Sequence, residues 1–364
     1  MLTVSARKIS DELAAKINQP VNWLNSLALT YVFVGYGLGI VCLGAQTIWL
    51  NVLGVVLVTH TLVWAAYFVH EFMHGAIFKS LKLNVLFGKV MLFLTGSCYC
   101  RYRPLANYHM MHHKNRADFS AFAIADFLRA LPTWLTSFIV GLEAMYLPAM
   151  NFILRWFCAL SPFLGDSRKN DRWRNAGLLA IRAGLFALLG WYSVKAVFLY
   201  LVAYVCFINL LRFIDCFQHT FEVLQLGQPM PKYSAEYEEV NTYSNILSIR
   251  WPWFNLFFLN FGYHNAHHQI TYCPWYLLPK LDGELYKPGY RQVVTLGRLV
   301  KLYHRFRVHR LFSDEGHVQD TDNGLNLEGF YGAIGVSFLV LREPLDWLTL
   351  NPSQTEKTPE PVTS

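Results

Sequence analysis

The stretch IWLNVLGVVLVTHTLVWAAYFVHEFMH, residues Ile48 to His74, decides how the rest of the chain is read. From about Ile48 to Val69 it holds no Asp, Glu, Lys or Arg. A hydrocarbon core about 30 Å thick takes about 20 such residues as helix. The run leads directly into His70 and His74, and residues four apart share one helix face. A membrane span thus delivers two imidazoles to its own end. A first apolar run covers about Leu27 to Leu43. The uncharged connector between these two runs is too short for anything but a tight hairpin. A second hairpin is predicted from about Ala176 to Tyr192 and about Ala196 to Ile214, across Ser193-Val194-Lys195. Arg182 is read near the cytoplasmic end of its helix, where it can snorkel.

Other apolar stretches are less decided. Val85 to Cys98 is short for a span and reads as an interfacial or core element. Leu131–Leu147 and Met150–Leu164, interrupted by Glu143, Arg155 and two prolines, fit a re-entrant hairpin or interfacial helices. Basic residues crowd Glu71–Arg129 and recur at Arg168, Lys169, Arg172 and Arg174, which assigns both regions to the cytoplasm by the positive-inside rule. The expected fold class is an all-α integral membrane protein. About four transmembrane helices form two hairpins under a cytoplasmic helical cap that carries the histidines, with both termini cytoplasmic.

Composition agrees. Apolar residues make up 54% and charged residues 15%, against about 25% charged in soluble domains. The net charge of +7 is not gathered into one basic tract between aromatics, which argues against nucleic acid. Seven cysteines, an odd number with no CxxC pair, suggest neither a disulfide framework nor a zinc ribbon. The N-terminal residues lack the apolar core of a signal peptide, so insertion is expected from the internal spans. The expected layout is a cytoplasmic segment over 1–24, a membrane domain over 25–290, a cytoplasmic segment over 291–350 and a disordered tail over 351–364.

Eight of thirteen histidines fall in three boxes: His70/His74, His109/His112/His113 and His264/His267/His268. One HxxxH pair alone is usually solvated or structural. Three boxes on one side of a membrane are a different matter, because hydropathy alone places the hairpins. Within each box the first and last imidazoles chelate from one helix face, and eight imidazoles suffice for two metals of the iron, zinc or copper type. His219 is a ninth candidate, just past the last span. If that helix continues, Asp215 shares its face and can orient an imidazole from behind. Asp118 and Asn265 are further candidates for that supporting role. His60, His304, His309 and His317 lack partners at ligand spacing. A rival reading takes His70-Glu71-Phe72-Met73-His74 as the HExxH of a zinc protease, with Leu281-Asp282-Gly283 downstream. It leaves six boxed histidines unused, since such a site needs three protein ligands.

These boxes, in this order and interleaved with two hairpins, resemble the membrane fatty acid desaturase and hydroxylase superfamily over roughly residues 25 to 290. The stretch HHQITYCPWYLLPKL also resembles the segment after that family's third box. His219 matches an extra histidine of its acyl-CoA desaturases; four residues before it those relatives carry Asn, where Asp215 stands here. The resemblance implies two non-haem irons and O2-dependent attack on a C–H bond of a fatty acyl chain, with desaturation as the first expectation. The superfamily also hydroxylates lipids, oxidises carotenoid rings and decarboxylates free fatty acids to terminal alkenes. The acyl carrier is open between free acid, CoA, acyl carrier protein and lipid ester. Neither a Rossmann fingerprint, nor a haem module, nor an iron–sulfur cysteine set is present. Electrons are therefore expected from a ferredoxin, rubredoxin or cytochrome with its reductase. Arg101, Arg103, Lys114 and Arg116 offer either a docking face for that carrier or plain topology signals, and Arg101 or Arg103 a partner for a free carboxylate.

Overall fold

The computed structural model describes residues 9–19, 22–120, 123–225, 231–286, 292–321, 324–334 and 339. The expected tail over 351–364 lies outside the described residues. Helix α1 (Asp11–Ile17) starts on Ser10, whose hydroxyl accepts from Leu13 N. It buries Leu13 and Ile17 beside Ala266 and Leu281. Helices α2 (Asn22–Gly44) and α3 (Ile48–Met73) come next. They approach closely because glycines face the partner. A Cβ on Gly39 would lie 2.8 Å from Val58 Cγ2, and one on Gly54 2.8 Å from Leu43 N. Small residues at such contacts are how helices associate where no hydrophobic drive exists. Asn51 Nδ2 donates to the carbonyls of Cys42, Leu43 and Ala45 at 2.9–3.1 Å. It thereby satisfies the open end of α2, which lipid cannot do.

After the first box come α4 (Leu81–Leu94) and α5 (Tyr102–Asn115), then a short strand β1 (Asp118–Ser120). Helices α6 (Ile124–Ala130), α7 (Thr133–Ala144) and α8 (Ala149–Leu164) continue the chain, the last two bent by 116°. Tyr146, at their corner, takes the left-handed φ of 61°. Helices α9 (Arg172–Tyr192) and α10 (Val194–Asp215) meet at Ser193, whose side chain caps α10 through Ala196 N. Among the described residues four helices are long and apolar enough to cross a membrane: α2, α3, α9 with the turn before it, and α10; the bent pair α7–α8 is either a fifth, broken span or a re-entrant loop. Trp173 and Trp191, near the two ends of α9, are exposed, as interfacial anchors are. Arg182 departs from its expected place. Helix α9 begins at Arg172, so Arg182 sits at its middle, and its Nη1 donates to Phe93 O at 2.7 Å at the end of α4.

The remaining chain packs against α3 and α10: Trp64 Nε1 donates to Leu256 O at 3.1 Å, and Tyr303 OH to Asn209 Oδ1 at 2.6 Å. Strand β2 (Val223–Gln225) pairs in parallel with β1, Asp118 opposite Val223. Helix α11 (Ala235–Val240) leads to β3 (Ser244–Ile246); α12 (His264–Gln269) and α13 (Leu278–Leu285) precede β4 (Val293–Thr295), which pairs in parallel with β3. Helix α14 (Leu296–Arg305) leads on to an antiparallel pair, β5 (Gln319–Thr321) and β6 (Gly324–Asn326). The last part packs back onto the exit of α10: Ala333 N donates to Cys216 O at 3.1 Å, and Phe330 lies edge-on to Phe217.

Candidate metal centre

Three local structures deliver the histidines. Helix α3 continues through the first box, placing His70 on its last turn and His74 at its C-cap. Helix α5 carries His109, His112 and His113 in its final two turns, and α12 consists largely of the third box. His219 is not helical. Helix α10 stops at Asp215, so Asp215 and His219 share no helix face, and the condition for that pairing fails. His219 is held instead by a bridge to Thr242.

All nine imidazoles meet. Ligand atoms of His70, His74, His109, His113 and His267 lie within 4.8 Å of one another; so do those of His219, His264 and His268, and those of His112, His113 and His268. The facing atoms are Nε2. His74 and His109 stand 2.8 Å apart, His109 and His113 3.2 Å, and His113 and His267 3.3 Å. His219 and His264 stand 2.8 Å apart, and His264 and His268 3.2 Å. A metal–imidazole bond of about 2.1 Å puts ligands at right angles about 3 Å apart. The spacing therefore fits imidazoles arranged around cations, and the donor set fits iron. A mutual hydrogen-bond net fits less well, because a neutral imidazole has one proton to offer. Protonation would oppose metal binding, and the surroundings prevent it. Burial, then the neighbouring imidazoles, push His74 down to about 3. The same causes hold His109, His113, His219, His264 and His267 well below the ordinary histidine value.

Carboxylates stand behind several rings. Asp118 Oδ1 lies 2.9 Å from His112 Nδ1, and Glu238 Oε1 2.8 Å from His268 Nδ1. The other Glu238 oxygen accepts from Arg116 Nε at 2.7 Å. Glu71 Oε1 lies 3.3 Å from His70 Nδ1, and its Oε2 accepts from Trp275 N at 3.2 Å. A carboxylate at the rear nitrogen fixes ring orientation and raises ligand basicity. Glu71 therefore faces the back of a box imidazole, not the space between the imidazoles where a protease base belongs. Asp282 belongs to α13 and to none of the candidate ligand groups among the described residues. Asn265 ties the third box to β3: its Oδ1 accepts from Ser244 Oγ at 2.9 Å and its Nδ2 donates to Thr242 O. Asp215 accepts from Tyr67 OH at 3.2 Å, and Tyr67 stacks on Phe261 at 4.3 Å.

Sequence reasoning missed Glu238 and Glu315. Neither sits at a spacing that announces a role. Glu315, from the turn before β5, is buried beside Asp118, and burial followed by that carboxylate holds its carboxyl well above the ordinary range. Two of the basic residues near the second box are engaged: Arg101 with Asp171 at 2.6 Å and Arg116 with Glu238, whereas Arg103 and Lys114 are exposed. His60 lies between Tyr31 OH and Phe257 O, and His304 bonds Tyr146. With His309 and His317, they fall outside the three ligand groups.

A model of the fatty acid desaturase family matches residues 47–298, more than half of the chain and all three boxes. The chain belongs to the fatty acid desaturase family. No curated protein and no solved structure matches it. As a desaturase-family protein it falls among oxidoreductases. The matched range ends before Glu315, so the carboxyl beside Asp118 comes from outside the family core.

Proposed function

We propose that this desaturase-family protein is an O2-dependent non-haem diiron membrane oxidase that introduces a double bond into a fatty acyl chain. The observation that carries the reading is the convergence of nine buried or half-buried imidazoles into adjoining groups with Nε2 spacings of 2.8–3.3 Å. The proposed ligands are His70, His74, His109, His112, His113, His219, His264, His267 and His268. The irons, when bound, supply the redox chemistry that side chains lack for an unactivated C–H bond. Burial holds His74, His109, His113, His219, His264 and His267 neutral, and the fold aims all nine imidazoles. Asp118, Glu238 and Glu71 lock rings from behind, and Asn265 fixes the third box to its strand. Tyr67 and Phe261 stack beside His70, and rigid aromatic walls of this kind suit an apolar chain.

The proposed topology keeps two hairpins, α2–α3 and α9–α10, with the boxes and both termini cytoplasmic. The basic clusters at one end of the spans support it. Electrons come from an external ferredoxin, rubredoxin or cytochrome, and exposed Arg103 and Lys114 are the proposed contact for an acidic carrier. The test is turnover in membranes supplied with an electron-transfer system and a labelled saturated fatty acid, with products identified by gas chromatography. An internal alkene of unchanged carbon count is expected. A terminal alkene one carbon shorter would reassign the site to oxidative decarboxylation, and a hydroxy acid to hydroxylation. Casein cleavage by iron-free, zinc-loaded protein would revive the protease.

A further inference from the structure

A second constellation of charge lies away from the histidines, where the α7–α8 corner, the last turns of α10 and the end of α14 meet. Its floor is an ion pair: Arg212 grips Glu143 with Nη1 at 2.6 Å and Nη2 at 3.1 Å. Glu143 Oε1 also accepts from Met150 N at 2.8 Å. Its walls are knitted by Asn209, which accepts from Tyr303 OH at 2.6 Å and donates to Tyr146 O at 2.8 Å. Arg307 and Arg310 complete the lining. The enclosed space is ≈ 10 Å³, about one oxygen-sized sphere.

The charges do not balance. Three arginines line the cleft against one acid, and Arg212 already neutralises Glu143. Arg307 spends its Nε on Ala144 O and its Nη1 on His304 O, both uncharged carbonyls. Arg310 is only 3% exposed. Its Nε and Nη2 donate to the carbonyls of Phe306 and Tyr303. Its buried Nη1 meets no nitrogen or oxygen acceptor, and the guanidinium otherwise lies beside the Cys216 thiol, a weak acceptor. An unmet guanidinium N–H in a buried site costs free energy unless an acceptor arrives. Two uncompensated cations favour an anionic one.

Position selects the source of that anion. Asn209 and Arg212 lie in the last two turns of α10, hence at the end of a span, the level of lipid headgroups. The rim is apolar: Met145 is 65% and Leu147 40% exposed at the corner beside the cleft. An apolar rim beside the basic Arg307 and Arg310 suits an amphiphile better than a soluble ion. Basic pockets between spans are a known manner of headgroup capture.

We propose that this cleft binds the phosphate of an anionic membrane lipid, one phosphate oxygen on Arg310 Nη1 and the rest of the headgroup against Arg307. The site is independent of which reaction the histidines perform. It adjoins them structurally, because the Arg310 guanidinium packs 5.1 Å over the ring of Phe217, two residues before His219. A bound headgroup thereby braces the segment that carries that imidazole.

The test titrates phosphatidylglycerol and phosphatidylcholine into delipidated full-length protein and counts bound lipid by native mass spectrometry. One phosphatidylglycerol is expected to bind in preference to phosphatidylcholine. Arg307→Gln is expected to weaken it about fivefold, the value of one basic residue near a lipid surface. Arg310→Gln is expected to weaken it at least as much, and Arg129→Gln, an exposed control, not at all. Arg307 is half-exposed, so its variant keeps the test decisive should Arg310→Gln fail to fold. Equal binding of the two lipids, or wild-type affinity in Arg307→Gln at an unchanged melting temperature, would overturn the proposal. So would displacement of the lipid by millimolar inorganic phosphate, which would mark the cleft as a soluble-anion site.

Discussion

At the scale of single residues, the partners behind the rings test the proposed centre most sharply. Glu238 joins His268 to Arg116 and touches no open space between the imidazoles. Glu238→Ala is expected to weaken iron binding by roughly 10- to 100-fold, read as iron per chain after dialysis against graded chelator. Two irons per chain are expected in the wild type. His267→Ala should lower that number, whereas His60→Ala should leave it unchanged. The boxes were legible because a helix puts residues three and four apart on one face. Their rear partners were not, because Glu238 precedes His268 by 30 residues and Trp275 lies 204 beyond Glu71. No spacing rule spans such gaps. Asp118 was legible only as a carboxylate near a box, and Asp215 was paired with His219 on a helix that ends too soon. The depressed imidazoles also set a pH dependence for the metal-free protein. Their folded-state values lie below the unfolded value of about 6.5, so the unfolded chain binds more protons between the two. Stability is then full above about pH 6.5 and falls as pH drops below it, with His74 continuing to contribute down to about 3. The melting temperature of chelator-stripped protein should decline between pH 7 and pH 5.

At the scale of elements, packing supplies partners that hydropathy does not show. The four long spans were readable to within about a turn or so at their ends, since length and apolarity alone define them. The region 131–164 was not, because Glu143 and Arg155 look disqualifying in isolation. Their partners are distant: Arg212 for Glu143, and Ser97 with the Thr95 carbonyl for Arg155. Arg182 was misplaced for a related reason, since the start of α9 is polar and hydropathy trims it. Three substitutions probe the elements. Gly54→Leu would drive a side chain into the backbone of Leu43 and should abolish the membrane-inserted, protease-resistant form. Ser193→Ala removes the cap of α10 and should cost about 1 kcal/mol, visible as a lower melting temperature with iron content retained. A Cβ on Gly262 would lie 2.2 Å from Asn245 O, so Gly262→Ala should push the third box off β3 and lower iron content without touching a histidine.

At the scale of the whole molecule, the proposed orientation can be checked directly. Single cysteines introduced at Gln46 and at Lys79 should label from opposite sides of sealed vesicles; labelling from the same side would refute the two-hairpin arrangement. The order of the histidines along the chain has a consequence in time. His70 is made early, but the nearest third-box residue, His264, is almost two hundred positions later, and Glu315 and Phe330 later still. A ribosome-bound chain that has finished its first two spans owns two imidazoles of the five-membered group and, behind them, only Glu71. If the proposed irons occupy the site, such a chain would hold them only loosely, and full loading would wait until the segment around His264 has left the ribosome. Chains stalled at successive lengths and offered radioactive iron should reach two irons per chain only once that segment emerges, since His267 and the whole His219/His264/His268 group are complete only then.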